Sequence, residues 1–183
     1  MNLVLDPWIP VRLRSGERRR IRPADLTVTM AGAEAVLALD LPRPDFQGAV
    51  FEFLVGLLQT ALRVQDDDEW RDLYEAPPSP SELAAAFDRQ AHAFALTGAG
   101  PCFAQDVGLA LTDEARGIQQ LFMDAPGENT VKQNADLFVR AGGVGLLCAP
   151  CAAAALYTLQ ANASAGGPGT ALACGAAARG ALR

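Results

Sequence analysis

The chain has 183 residues, half of them apolar, with a formal net charge of −6 at pH 7 and four cysteines. That length suits one domain able to bury a core, the acidic balance argues against a free-standing nucleic-acid binder, and four cysteines are too few for a disulfide scaffold. No apolar stretch reaches membrane-spanning length and residues 1–10 carry neither a basic leader nor a small-residue cleavage site, so the expectation is a cytoplasmic protein with reduced or metal-bound cysteines and no membrane partner.

Residues 3–5 and 9–13 read as short extended runs separated by Asp6-Pro7-Trp8. Ser15-Gly16 turns the chain, and residues 18–21 return as a partner strand. Val11, Leu13 and Ile21 fit one apolar face with arginines between them, which predicts a hairpin with one wet, basic face. Arg12, Arg14, Arg18, Arg19, Arg20 and Arg22 hold six of the fifteen basic residues within eleven positions. Asp66, Asp67, Asp68, Glu69, Asp72 and Glu75 form an acidic block. Both runs read first as solvated surface, although a local basic patch can still serve inside a complex.

Pro23 can open a short helix over residues 24–26, where its missing amide costs nothing. From Pro44 or Asp45 to residue 62, Phe46, Val50, Phe53, Leu54, Leu57, Leu58 and Ala61 recur at steps of three and four, which predicts the central core helix. Residues 67–74 suggest a surface helix ended by Pro77-Pro78, and Ser79 or Ser81 can cap a helix over 82–91. Residues 94–111 read as loop with short extended pieces, 113–122 as a short helix, and 125–134 as a loop opened by the turn pair Pro126-Gly127. A final helix is expected over 151–159, with Pro150 at its first turn. After residue 160 alanine and glycine dominate, too little bulk to close a core. The fold class is therefore α+β: an N-terminal β-hairpin, several helices and an irregular C-terminal tail.

Chemistry for an enzyme is thin. His92 is the only histidine and no nucleophile motif accompanies it, so its role reads as structural or as surface. Gly142, Gly143 and Gly145 lack the lysine and hydroxyl of a phosphate-binding loop. Cys148-Ala149-Pro150-Cys151 sets two sulfurs three residues apart at a helix start. That spacing fits a zinc half-site, buried structural thiols or a redox pair, and completion of a zinc site would need two further ligands such as Cys102 or Cys174. A small zinc- or thiol-dependent enzyme built on the pair is the alternative to a binding protein. Asn129, Thr130, Lys132, Gln133 and Asn134 gather amides, a hydroxyl and the chain's only lysine on the predicted loop. Amides can bond base edges and sugar hydroxyls, and the lysine can neutralise a phosphate.

Three segments in order carry a resemblance. The opening Asn2-Leu3-Val4-Leu5-Asp6-Pro7-Trp8-Ile9-Pro10-Val11, the helix text Phe51-Glu52-Phe53-Leu54-Val55-Gly56-Leu57-Leu58-Gln59-Thr60, and the run from Leu147 through the cysteine pair to Gln160 resemble the large subunit of type I-E CRISPR Cascade complexes, the CasA or Cse1 family. The resemblance implies a non-catalytic scaffold subunit whose partners are CRISPR RNA, target double-stranded DNA, other Cascade subunits and the Cas3 nuclease-helicase. It aligns residues 128–135 with a loop that meets the RNA handle and a neighbouring subunit, Asn129 and Asn134 being the best positional matches. Lys132 and Gln133 depart from the aromatic or apolar pair common there. It also makes Cys148 and Cys151 one half of a zinc site whose other pair comes from later in the family's chain.

Relatives continue after Gly169 with a basic, glycine-rich segment, whereas residues 170–183 here are mostly alanine and glycine. A GC-rich gene read one base out of frame gives such a run, and genuine divergence is the other reading. The expected organisation is a partial N-terminal domain over residues 1–169 and a disordered or frameshifted tail over 170–183, with Cys174 accidental if the frame has shifted. The family's motif-reading elements and helical bundle lie beyond the resemblance.

Overall fold

The computed structural model describes residues 1–28, 32–105 and 117–162. The expected tail over 170–183 and Cys174 fall outside the described residues. The chain divides into two compact units, Met1–Ala95 and Leu96–Arg183.

In the first unit, β1 (Ile9–Leu13) pairs antiparallel with β2 (Arg18–Ile21), as the turn at Ser15-Gly16 predicts. Gly16 takes φ +91° in that turn, a conformation open to glycine without a Cβ clash. A third strand, β3 (Val36–Leu39), pairs with the other edge of β1, giving the order β2-β1-β3. Leucine and alanine fill three of its four positions, a composition with no strand preference of its own, so pairing with β1 decides its state. Ile9, Val11 and Leu13 are buried, while Arg12 and Arg14 between and after them face water.

The extended run expected over residues 3–5 is instead a turn. The Asn2 side chain accepts from the amides of Val4 (3.0 Å) and Leu5 (3.3 Å). The Asp6 carboxylate accepts from the Asn2 amide (2.8 Å), and the Asp6 amide donates to the Asn2 carbonyl (3.0 Å). These local side-chain bonds satisfy the backbone in place of a ladder.

The core helix, α1 (Pro44–Leu62), buries Phe46, Ala49, Val50, Phe53, Leu54, Leu57 and Ala61. Leu58, expected on that stripe, is half-buried at its margin. Phe53 sits edge-on to both Trp8 and Phe94, each ring centre 5.9 Å away, and the buried Trp8 indole donates to the Leu3 carbonyl at 2.7 Å. Cutting Phe53 to alanine would remove about 3–5 kcal/mol. The acidic block forms α2 (Asp67–Glu75), capped by Asp66, which accepts from Asp68 and Glu69 amides. Charge at a helix N-terminus is favourable there, so the block also starts its own helix.

Helix α3 (Pro80–Asp88) begins with a capping box between Ser79 and Glu82. It stops before the expected residue 91, because a 3-10 turn, Ala91–Ala93, redirects the chain. The carbonyls of Ala91 and Phe94 accept from the Asn2 side chain and the Leu3 amide, so this segment serves the N-terminal turn.

In the second unit, the helix expected over 113–122 is a 3-10 turn, Ile118–Leu121; residues 113–116 lie outside the described ones. Two helices follow, α4 (Glu128–Lys132) and α5 (Ala149–Asn162). Helix α5 extends the expected 151–159 at both ends and buries Ala152, Ala153, Ala154, Ala155, Leu156, Thr158 and Leu159. The buried Thr158 hydroxyl donates to the Ala154 carbonyl at 2.7 Å, so it costs no lost hydrogen bond. Tyr157 stacks on Phe103 with ring centres 6.2 Å apart. No helix among the described residues is long and apolar enough to cross a membrane.

Candidate nucleic-acid interface

The segment predicted as a polar loop over 125–134 is partly helical, which changes what its side chains can reach. Gly127 provides the helix N-cap position, Glu128 lies in the first turn and Lys132 in the last. Lys132 Nζ and the Glu128 carboxylate lie 3.7 Å apart across one turn, an exposed pair worth a few tenths of a kcal/mol. The helix ends where Asn134 takes φ +52°. Asn134 N–H donates to the Val131 carbonyl (3.0 Å) and Ala135 N–H to the Thr130 carbonyl (2.9 Å). That is the left-handed helix stop usually built on glycine, with asparagine tolerated in its place.

All five sequence-predicted contact residues therefore sit on one short turn and its cap. Asn129, Lys132, Gln133 and Asn134 are exposed, and Thr130 is half-buried.

The base of this segment is fixed by two adjacent glutamines in the 3-10 turn Ile118–Leu121. Gln120 Nε2 donates to the carbonyl of the buried Pro126, just before α4 (3.3 Å). Gln119, buried at 6 % exposure, uses both ends of its amide beyond α4. Its Nε2 donates to the Arg140 carbonyl (2.7 Å), and its Oε1 accepts from Gly143 N–H (2.8 Å). Asp136, also well covered, accepts from Ala141 N–H at 3.1 Å and lies 3.7 Å from the Arg140 guanidinium. The same 3-10 turn packs on α5. A polar tip is thus held on a built base, the arrangement that lets a loop bind without first ordering itself.

Leu137 (69 %) and Phe138 (99 %), between tip and base, and Leu146 (90 %), after Gly143, stand in water. Sequence reasoning passed over them; an apolar pair between polar segments is a visible signal, but it reads equally as core.

Cys148 and Cys151 come together at the start of α5. Both are thiols, Cys148 exposed and Cys151 half-buried. The Cys151 amide donates to Cys148 Sγ at 3.3 Å, and the Ala152 amide to the Cys148 carbonyl at 2.8 Å. Both sulfurs are soft donors at zinc-ligand spacing. Among the described residues, no third histidine, cysteine, aspartate or glutamate joins them in a group that could hold a metal ion. Cys102 instead lies 3.4 Å from the Gly100 carbonyl and 3.8 Å from that of Gly98. His92 is exposed on its 3-10 turn.

Comparison with known proteins places this architecture. The family described as CRISPR-associated protein Cse1 matches residues 2–183. Among solved structures, Thermobifida fusca Cse1 is similar at a TM-score of 0.71 and 24% identity, over 91% of this chain and 30% of that one. Cse1 from Acidimicrobium ferrooxidans is similar at 0.56 and 28% identity, over 66% of this chain and 24% of that one. CasA (Cse1) from Thermus thermophilus is similar at 0.62 and 19% identity, over 87% and 31%. The chain spans less than a third of the length of each of these structures. With the family matched along nearly its whole length, the chain belongs to the CRISPR-associated Cse1 family.

Proposed function

We propose that this chain works as a non-catalytic part of a cytoplasmic RNA-guided antiviral surveillance complex of the type I-E Cascade kind. It contributes to contact with the CRISPR RNA handle, to recognition of target double-stranded DNA, and to recruitment of the Cas3 nuclease-helicase. The observation that carries this reading is the family match along residues 2–183. The exposed amides of Asn129, Gln133 and Asn134, the Thr130 hydroxyl and the Lys132 ammonium suit an RNA partner, since they offer donors and acceptors to base edges and sugar and one charge to phosphate.

The test is reconstitution. The purified chain is mixed with a Cascade complex lacking its large subunit, and co-elution is followed by size exclusion. Co-elution that weakens at least tenfold in an Asn129→Ala, Lys132→Ala double variant is the expected result. A chain that never co-elutes, or a double variant that binds as well as the parent, overturns the reading.

Within the same reading, Cys148 and Cys151 supply two of the four ligands of a zinc ion. Two thiolates alone bind zinc weakly, so competition against a chromophoric chelator should show low affinity that vanishes when either cysteine is replaced. Tight one-to-one binding would show that this chain completes the site itself.

A further inference from the structure

The outer face of the three-stranded sheet carries more positive charge than its own carboxylates answer. Register places Arg12 directly opposite Arg18 and Pro10 directly opposite Arg20, so these four residues share one face of the β1–β2 pair. Arg14 continues the outward alternation after the buried Leu13. On the other side of β1, Arg12 is opposite Ala38.

Three of the six clustered arginines are paired. Arg18 Nε lies 2.8 Å from Asp40, Arg22 Nη2 lies 2.7 Å from Asp25, and Arg19 bonds Glu34. Arg12, Arg14 and Arg20 are exposed and have no ion-pair partner among the described residues. The nearby turn carboxylate, Glu17, also forms no ion pair there and offsets at most one of them.

Like charges directly across a strand pair cost stability, so the Arg12 and Arg18 placement works against the sheet. The concentration also stands out in a chain whose net charge is −6. At physiological salt, charge beyond about 8 Å is largely screened, so a local patch can attract a polyanion despite an acidic whole.

From these placements we infer that the outer sheet face is a docking surface for the phosphodiester backbone of a nucleic-acid duplex, built from residues other than those of α4. Arginine suits phosphate because its planar fork donates two parallel bonds. Pro10 and Ala38 lie opposite arginines in the register, Leu37 is exposed at the β3 bulge beside Ala38, and none of the three can stack a base as an aromatic ring does. Single strands are held by aromatic platforms beside the charge, whereas a duplex offers its backbone without needing them. The contact is therefore indifferent to base sequence.

The probe is a fluorescein-labelled 20-base-pair DNA duplex, followed by anisotropy with the full chain. If all three unpaired arginines engage phosphate, the log affinity falls with log salt at a slope of about −2.7, roughly fortyfold from 50 to 200 mM. An Arg12→Gln, Arg14→Gln, Arg20→Gln variant should lose at least tenfold in affinity at 50 mM and nearly all that slope. The corresponding triple lysine variant should keep the slope, which separates lost charge from lost folding. Lys132→Gln should leave duplex binding unchanged, so this surface and the proposed RNA contact fail independently. The inference is overturned by absence of duplex binding at 50 mM, by a glutamine variant that binds like the parent, or by polyglutamate out-competing duplex at equal charge. The last outcome would assign the face to an acidic protein.

Discussion

The Cys151 amide donates to the sulfur of Cys148, so the first thiol caps the helix that carries the second. A cap and a metal ligand make different demands on one atom, and substitution separates them. Cys148→Ser keeps an acceptor for the amide and should hold the thermal midpoint near that of the parent, while weakening zinc binding. Cys148→Ala removes the acceptor and should cost about 1 kcal/mol in urea unfolding. If the alanine variant is as stable as the parent, the sulfur contributes no cap.

Asn134 has a conformational role and a proposed contact role, which glycine and alanine distinguish. Its φ of +52° suits glycine best, so Asn134→Gly should be neutral or slightly stabilising. Asn134→Ala should cost about 1 kcal/mol, because a Cβ with no local hydrogen-bonding group is strained there. RNA binding measured on the stable glycine variant then isolates the amide. Binding like the parent's would assign Asn134 a purely conformational role.

Acid should weaken the first unit through Asp25. The bidentate hydrogen bonds from Arg22, 2.7 and 3.0 Å, hold this carboxyl below the usual carboxylate range; partial burial opposes them, and a bond from the Arg22 amide and the guanidinium charge assist. A depressed folded pKa contributes stability that is present above the unfolded pKa, about 3.9, and is lost as pH falls through the folded value. Asp25→Asn should therefore lower stability at pH 7 by about 0.5 kcal/mol, a figure kept small because the guanidinium is half in water. The variant's stability should also change less between pH 5 and pH 2. Parallel pH profiles for parent and variant would show that the pair does not contribute.

Local chemistry explains which features the sequence shows plainly. The β1–β2 hairpin and α1 rest on alternation, a glycine turn and a long period of apolar residues, signals that a few neighbours carry by themselves. β3 is invisible because its four residues become a strand only through the edge of β1. Residues 3–5 mislead for the opposite reason: their apolar text suggests a strand, but Asn2 and Asp6 flanking them close a turn. At the candidate interface the residue types proposed for contact are read from composition. Their helical setting is not, because Glu128 and Lys132 support one turn whose stop depends on a left-handed asparagine.

Gln119 is the residue at that interface which composition could not single out, and it offers the sharpest structural test. Its amide ties the Arg140 carbonyl and the Gly143 N–H, so both ends of one side chain set the return path of the segment after α4. Gln119→Leu keeps the volume and removes both bonds, leaving two backbone groups partly covered and unpaired. The expected cost is about 1–3 kcal/mol. Hydrogen exchange should rise over residues 135–147 while the buried face of α5 stays protected. If the loop is held for RNA, the same variant should weaken handle binding although Gln119 itself is buried, through a faster dissociation of the complex. Unchanged exchange over 135–147 would show that the loop is fixed by Asp136 and the turn at Gly142 without the glutamine.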